Sequence, residues 1–269
     1  MNQVKFRTEF VKGVPHRINW FPGHMRRAMR LLEDELKKVD VFIEVRDARI
    51  PKTSRNPELI ALLPEKMKRL VVYNKIDLAC ERKAVELIKD IHLNEKDARG
   101  KEIPYMHLST KKNVNMQKLL SFIQTNASPE FKTVGSWIMI GGMPNVGKST
   151  IINSLRSKDA DLNHSKKAGA RTGGVPCITK SISGFRIMTD PATYITDTPG
   201  IIVPKIENVI DGMKMCACNI IRDGIVEDSS VCDFILYTLN QQRNFAYVKR
   251  YDLPNKMPSD SINEVLNAC

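Results

Sequence analysis

Gly142-Met143-Pro144-Asn145-Val146-Gly147-Lys148-Ser149 fits the phosphate-loop pattern of Gly, four residues, then Gly-Lys-Ser. Ahead of it runs Trp137-Ile138-Met139-Ile140, an apolar stretch suited to a buried parallel strand. Behind it Ile151, Ile152 and Leu155 recur at helical spacing. Strand, glycine loop and helix are the context that a phosphate loop needs, because backbone N–H groups of residues 145–150 then point at phosphates from a helix N-terminus. Asn145, Val146, Gly147 and Thr150 belong to that cradle. Lys148 would supply a point charge to the β and γ oxygens, and the Ser149 hydroxyl would hold Mg²⁺. A chance glycine turn would lack both flanks.

A second stretch names the base. Asn74-Lys75-Ile76-Asp77 follows Leu70-Val71-Val72-Tyr73, a short apolar strand, and ligands in open α/β sheets sit at the carboxyl ends of strands. The Asp77 carboxylate there can accept two hydrogen bonds from guanine, N1–H and the exocyclic amino group. Adenine would leave it unpaired, and a site built on such pairing discriminates by roughly 10⁴ or more. This reads as GTP and argues against a P-loop kinase or ATPase. Ser109-Thr110-Lys111, after the strand-like Tyr105-Met106-His107-Leu108, would back up the base.

Asp197-Thr198-Pro199-Gly200 follows Tyr194-Ile195-Thr196, which puts Asp197 where it reaches Mg²⁺ through water and Gly200 where its N–H meets the γ-phosphate. Between Ser149 and Asp197 lies a loop of small and basic residues, Lys166 to Gly174, ending at Thr179. Thr179 is placed to complete the Mg²⁺ shell when GTP orders that loop, with a plain strand residue as the alternative.

The base motif comes about seventy residues before the phosphate loop, the reverse of ordinary guanine-nucleotide switches. The chain therefore reads as a circularly permuted GTPase. The expected fold is α/β, the doubly wound, mostly parallel sheet of a P-loop GTPase, with a small helical C-terminal domain. Residues 24–38 read as a basic helix and 39–45 as a buried strand; 82–91 and 116–124 read as amphipathic crossover helices. The breaker cluster Asn126 to Glu130 joins the usual last helix to the usual first strand. From Asn208 onward the pattern is helical. Three divisions follow: a basic segment over 1–19, the permuted GTPase domain over 20–206, and a helical domain over 207–269.

Trp20-Phe21-Pro22-Gly23-His24-Met25, Asp47-Ala48-Arg49-Ile50-Pro51, Arg55-Asn56-Pro57 and the permuted order together resemble the ribosome-biogenesis GTPase A family, over residues 18 to about 253. Phe234 to Asn240 with Phe245-Ala246-Tyr247-Val248 is similar to its eukaryotic, mitochondrial branch. The resemblance implies a GTPase, slow alone and stimulated by the ribosome, that binds the large ribosomal subunit and its rRNA and assists assembly and translation. It implies a mitochondrial matrix setting; a cytoplasmic bacterial-type assembly factor and a nucleotide-gated RNA-binding module stay open. Two departures stand out. Cys177 replaces the family's usual Gly, and the end of the chain is expected to be truncated relative to longer family tails.

Conventional switches place a Gln after the Asp-x-x-Gly loop to orient water, but Ile201 stands there. The resemblance suggests His24 as the group that positions water, its alternative being an RNA-contacting or packed histidine. Asn145 has an amide oxygen that could bind K⁺ beside the β and γ phosphates, as in potassium-activated GTPases lacking the Gln. A turn-stabilising Asn is the alternative there.

Net charge is +12, and the first thirty residues hold seven Lys/Arg against Glu9 alone. Such a start suits RNA phosphate contact, with Arg26, Arg27 and Arg30 as the candidates, an organelle-import peptide over residues 1 to about 17, or a solvated face. The six cysteines show no Cys-x-x-Cys pair and no His partner at zinc-finger distance, so they read as reduced thiols. No apolar run approaches the eighteen or so residues of a membrane span, leaving peripheral association as the membrane role open. The γ-phosphate sensor joins the helical region directly through residues 201–204, so its state could reorient that region.

Overall fold

The computed structural model describes residues 6–10, 23–97, 99–127, 135–158, 183–201, 206, 208–221 and 224–268. Six strands form one sheet: β1 (Val41–Asp47), β2 (Lys68–Asn74), β3 (Tyr105–His107), β4 (Ser136–Gly142), β5 (Ser183–Met188) and β6 (Thr193–Asp197). Their order is β3-β2-β1-β4-β6-β5. All neighbours are parallel except β5, which runs antiparallel to β6 at the edge. Parallel pairing requires crossovers, and helices α3 (Glu81–Asn94) and α4 (Met116–Asn126) provide two of them. Sequence periodicity did not anticipate β5, since a two-stranded edge ribbon carries too few residues to stand out.

Helix α1 (Gly23–Leu36) precedes β1, and α2 (Pro57–Ala61) lies between β1 and β2. Asn56 caps α2 through its side-chain oxygen, which accepts from Leu59 N at 3.2 Å, and Pro57 fits the first turn, where its missing N–H costs nothing. Leu32 and Leu36 of α1 pack with Phe42, Leu59, Met139 and Ile201. On α3, Ala84 and Ile88 pack with Val71, Tyr73, Ile76 and Ile103. Each fully buried Leu, Ile, Val, Phe or Met among these contributes about 1.5–3 kcal/mol.

Every residue of β1 is buried, including three charges, Glu44, Arg46 and Asp47. Glu44 and Arg46 stand two apart and so share a face. Arg46 Nε donates to Glu44 Oε1 at 2.7 Å, while its terminal nitrogens donate to Glu95 at 2.6 and 2.9 Å and to Tyr73 Oη at 2.9 Å. Arg69 also pairs with both carboxylates, and Arg55 reaches Glu95 at 3.2 Å. Burial pushes Glu95 up, but the hydrogen bonds and charge of Arg46 outweigh it and hold the carboxyl at about 2. Tyr73 Oη lies 3.1 Å from His92 Nε2. Burial drives His92 down to about 4, so the ring is neutral near pH 7, with one nitrogen protonated and the other bare.

The chain divides into two compact units. One, the sheet unit, is Asn19–Lys205 with Cys218–Ile220; the other is Met1–Ile18 with Ile206–Ala217 and Ile221–Cys269. The second is helical: α6 (Val209–Ala217), α7 (Asp228–Gln241), α8 (Ala246–Arg250) and α9 (Ile262–Leu266). Leu236, Tyr247, Leu253, Ile262 and Val265 form its core. Residues 6–10, which composition assigns to a separate basic segment, pack inside this unit. Arg7 donates to buried Asp233 at 2.8 and 2.9 Å and pairs with Asp260 at 3.2 Å. Phe6 stacks on Phe245, and Phe10 meets Phe234 edge-on. A carboxylate as buried as Asp233 needs a cation, and composition alone does not say which residue supplies it. Among the described residues no helix is long and apolar enough to cross a membrane.

Candidate functional site

The phosphate loop leaves β4 at Gly142 and enters α5 (Lys148–Arg156) through Gly147, which caps the helix with φ +100°. A Cβ on Gly147 would overlap the side-chain nitrogen of Asn74, so only glycine lets the base motif approach this closely. Asn74, itself buried, donates from Nδ2 to Val146 O at 2.9 Å and accepts from Thr110 N at 3.4 Å. One amide thus ties the phosphate loop to the Ser109-Thr110 loop. Ser109 Oγ accepts from Lys112 N at 3.0 Å, which shapes that loop locally.

Lys75 sits in the left-handed region with φ +64° and donates from Nζ to Asn145 O. Asp77 follows in a single 3-10 turn, half-buried. Lys148 is buried, and its Nζ donates to Met143 O at 2.8 Å and Gly142 O at 3.3 Å. Val146 is buried and Thr150 exposed at the start of α5.

Parallel pairing sets Ile140 of β4 opposite Asp197 of β6, which brings the two loops side by side. The Ser149 hydroxyl donates to Asp197 Oδ2 at 2.7 Å. A hydroxyl and a carboxylate at one point are the hard oxygen donors that suit Mg²⁺. A Cβ on Gly200 would lie 2.5 Å from Pro144 Cα, so the Asp-x-x-Gly loop runs against the phosphate loop through a glycine contact. Ile201, in the position of the missing Gln, is buried in the core against α1, and its carbonyl accepts from Asn56 Nδ2 at 2.8 Å. Its side chain is a packing element. Thr179 and the loop leading to it lie outside the described residues.

Helix α1 carries His24, Arg26 and Arg27 in its first turns. Their side chains also lie outside the described ones. Arg30, on the same helix, is exposed.

Asp47-Ala48-Arg49, one of the stretches that carry the family resemblance, has a task in the geometry of the site. Asp47 ends β1 opposite Asn74. Its carboxylate accepts from Arg49 N at 3.0 Å and from the guanidinium at 2.9 and 2.7 Å, and pairs with Lys75 Nζ at 3.0 Å. Burial pushes Asp47 up; the hydrogen bonds of Arg49 and the charge of Lys75 outweigh it and hold the carboxyl below its usual range. Cys218 and Asn219 also escaped sequence reasoning. Cys218 O accepts from Arg49 at 3.1 Å, and Asn219 O accepts from Asn145 Nδ2 at 2.8 Å. No periodicity marks a main-chain carbonyl.

A base motif, a phosphate loop and an acidic loop at the carboxyl ends of one parallel sheet, in permuted order, define a circularly permuted GTPase. The family model described as 50S ribosome-binding GTPase matches residues 137–261. The chain is 35% identical to mitochondrial ribosome-associated GTPase 1 of Ictalurus punctatus, over 97% of this chain and 80% of that protein. It is 36% identical to mitochondrial GTPase 1 of Aedes aegypti, over 98% and 83%. It therefore belongs to the mitochondrial ribosome-associated GTPase family. The GDP-bound structure of T. maritima YlqF shares the fold, with a TM-score of 0.56 at 22% identity over 88% of this chain and 90% of that one. The chain is a mitochondrial GTPase, of a family that uses Mg²⁺ with GTP.

Proposed function

We propose that the chain is a nucleotide switch that docks on the large subunit of the mitochondrial ribosome and assists its assembly and translation. The observation that carries the switch is the meeting of the Asn74-Lys75, phosphate and Asp197 loops at the carboxyl ends of the strands, joined by the hydrogen bonds Asn74–Val146, Lys75–Asn145 and Ser149–Asp197. The ribosomal partner is taken from the names of the relatives and from the basic balance of the chain, +12.

In this reading Asp77 selects guanine through its carboxylate, seconded by Ser109 and Thr110. Main-chain N–H groups from Asn145 to Thr150 hold the phosphates, and Lys148 turns from its loop carbonyls to the β and γ oxygens. Ser149 and Thr179 would hold Mg²⁺ directly and Asp197 through water, the ion neutralising phosphate charge. The Gly200 N–H senses the γ-phosphate. With Ile201 buried, the water-positioning group has to come from elsewhere, and His24 on α1 takes that role. The Asn145 amide oxygen would hold K⁺, which would supply the positive charge of an arginine finger. Arg26, Arg27 and Arg30 contact rRNA phosphates.

Turnover measured with and without large-subunit particles tests this. The unaltered protein should be stimulated, and His24→Ala should keep GTP affinity while losing roughly 10² or more of the stimulated rate. Stimulated turnover at the unaltered rate in His24→Ala would remove His24 from the mechanism. Absence of any stimulation would remove the ribosome as trigger.

A further inference from the structure

The chain leaves the helical unit after Ala217, gives Cys218–Ile220 to the sheet unit, and returns to the helical unit at Ile221. Cys218 and Asn219 close a ring of polar contacts. Arg49 donates to Cys218 O at 3.1 Å and holds Asp47 at 2.7 and 2.9 Å; Asp47 pairs with Lys75 at 3.0 Å; Lys75 donates to Asn145 O; and Asn145 Nδ2 donates to Asn219 O at 2.8 Å. Ile220 is fully buried and Cys218 is 8% exposed, so apolar packing seats the segment. Asn219 and Asn145 are both left-handed, with φ of +57° and +56°.

A carbonyl oxygen can only accept, so the end of the Asn145 amide that faces Asn219 is the nitrogen, and the oxygen is turned away from it. We infer that Asn219 is a positioning residue for the phosphate loop, its main-chain carbonyl orienting the Asn145 amide so that the oxygen is presented to a monovalent cation. The inference rests on the K⁺ reading above and adds to it a part that the phosphate loop does not contain. One hydrogen bond of this kind is worth up to about a factor of ten in the occupancy of the oriented amide.

Thermal unfolding of the full chain, holding Mg²⁺ and a non-hydrolysable GTP analogue, is compared in KCl and NaCl at equal ionic strength. The unaltered protein should unfold at higher temperature in KCl, and Asn145→Ala should abolish that difference. Asn219→Gly keeps both the carbonyl and the left-handed backbone and should keep the K⁺ preference. Asn219→Pro, with φ fixed near −65°, should raise the K⁺ concentration for half of the shift by about 10-fold. Its affinity for a fluorescent GDP analogue in NaCl should stay within about twofold, a readout that general damage would move. If Asn219→Pro does not fold, Asn219→Val takes its place, a β-branched residue disfavoured at positive φ. A K⁺ preference that vanishes with Asn145→Ala but persists unaltered in Asn219→Pro or Asn219→Val overturns the role of Asn219 and leaves the K⁺ site standing. No K⁺ preference in the unaltered protein removes the K⁺ site and this inference with it.

Discussion

Strand β1 carries two carboxylate–guanidinium assemblies three residues apart, and they have different fates. Glu44 and Arg46 sit inside the sheet layer, closed off by Glu95, Arg69, Tyr73 and His92. Asp47 and Arg49 sit at the carboxyl end, and their contacts lead outward to Lys75, Asn145 and Cys218. Both assemblies hold carboxyls below their usual range, Glu95 in the inner one and Asp47 in the outer one. A perturbed carboxyl therefore does not by itself mark a functional site in this protein. What separates the two is where the next partner lies. The inner assembly stays among strand residues, the end of α3 and Arg55, whereas the outer one reaches the loops that bind nucleotide.

The largest expected effect lies just beyond the outer assembly. Asp77→Asn should lower GTP affinity by roughly 10⁴ and admit xanthine nucleotide, with the unfolding temperature of the nucleotide-free protein unmoved. Titration with fluorescent guanine and xanthine nucleotides checks this. An unaltered preference for GTP would take base selection away from Asp77.

Next comes the inner assembly. Glu95→Ala leaves Arg46 buried with fewer partners and should cost about 3–5 kcal/mol by denaturant unfolding, with GTP affinity of the folded fraction unaltered. A large loss of affinity at full folding would mean that the inner network is coupled to the site, and the contrast between the assemblies would collapse. Asp47→Asn is the counterpart. It weakens the hold on Arg49 and Lys75, and should reduce GTP affinity by about 10-fold while costing only about 1–2 kcal/mol of stability. A stability loss as large as that of Glu95→Ala, with unchanged affinity, would make the outer assembly structural too.

The smallest effect is a pH dependence of the inner assembly. His92 is held at about 4 in the folded chain, below its ordinary value of 6.5, so the unfolded chain takes up that proton first. Stability should fall as pH drops from 6.5 toward 4, and Glu95, held at about 2 against 4.5, extends the loss below pH 4.5. His92→Phe should flatten the upper part of this decline by a few degrees of unfolding temperature. The same slope with Phe in place would assign the decline to other groups.

Strands β1, β2, β4 and β6 were legible because apolar runs ending in Asp, Asn or Gly have a short-range signature, whereas β5 was not. The strand ahead of the phosphate loop, expected from Trp137, is observed from Ser136 to Gly142, and the helix expected over 82–91 spans Glu81–Asn94. The inner assembly left a trace that went unused: Glu44 and Arg46, opposite charges two apart in an otherwise apolar strand, have to share a face and find partners there. Residues 6–10 were harder. Their composition is that of a basic leader, and nothing local connects Arg7 to Asp233, more than two hundred residues away.

By itself the sequence determined the nucleotide class, the permuted order of the motifs and the division into a sheet and helices. Those depend on residue type at short spacing: a glycine loop before a helix, a carboxylate after a strand, apolar residues at a strand or helix period. Tertiary structure alone decided that Ile201 is core, that Arg7 neutralises Asp233, and that Cys218 and Asn219 bear on the phosphate loop. These are contacts between segments far apart in the chain, two of them made by main-chain carbonyls that every residue type carries. A sequence pattern cannot record which carbonyl a folded chain brings to which side chain, because that choice is made by the packing of buried residues such as Ile220 against the rest of the unit.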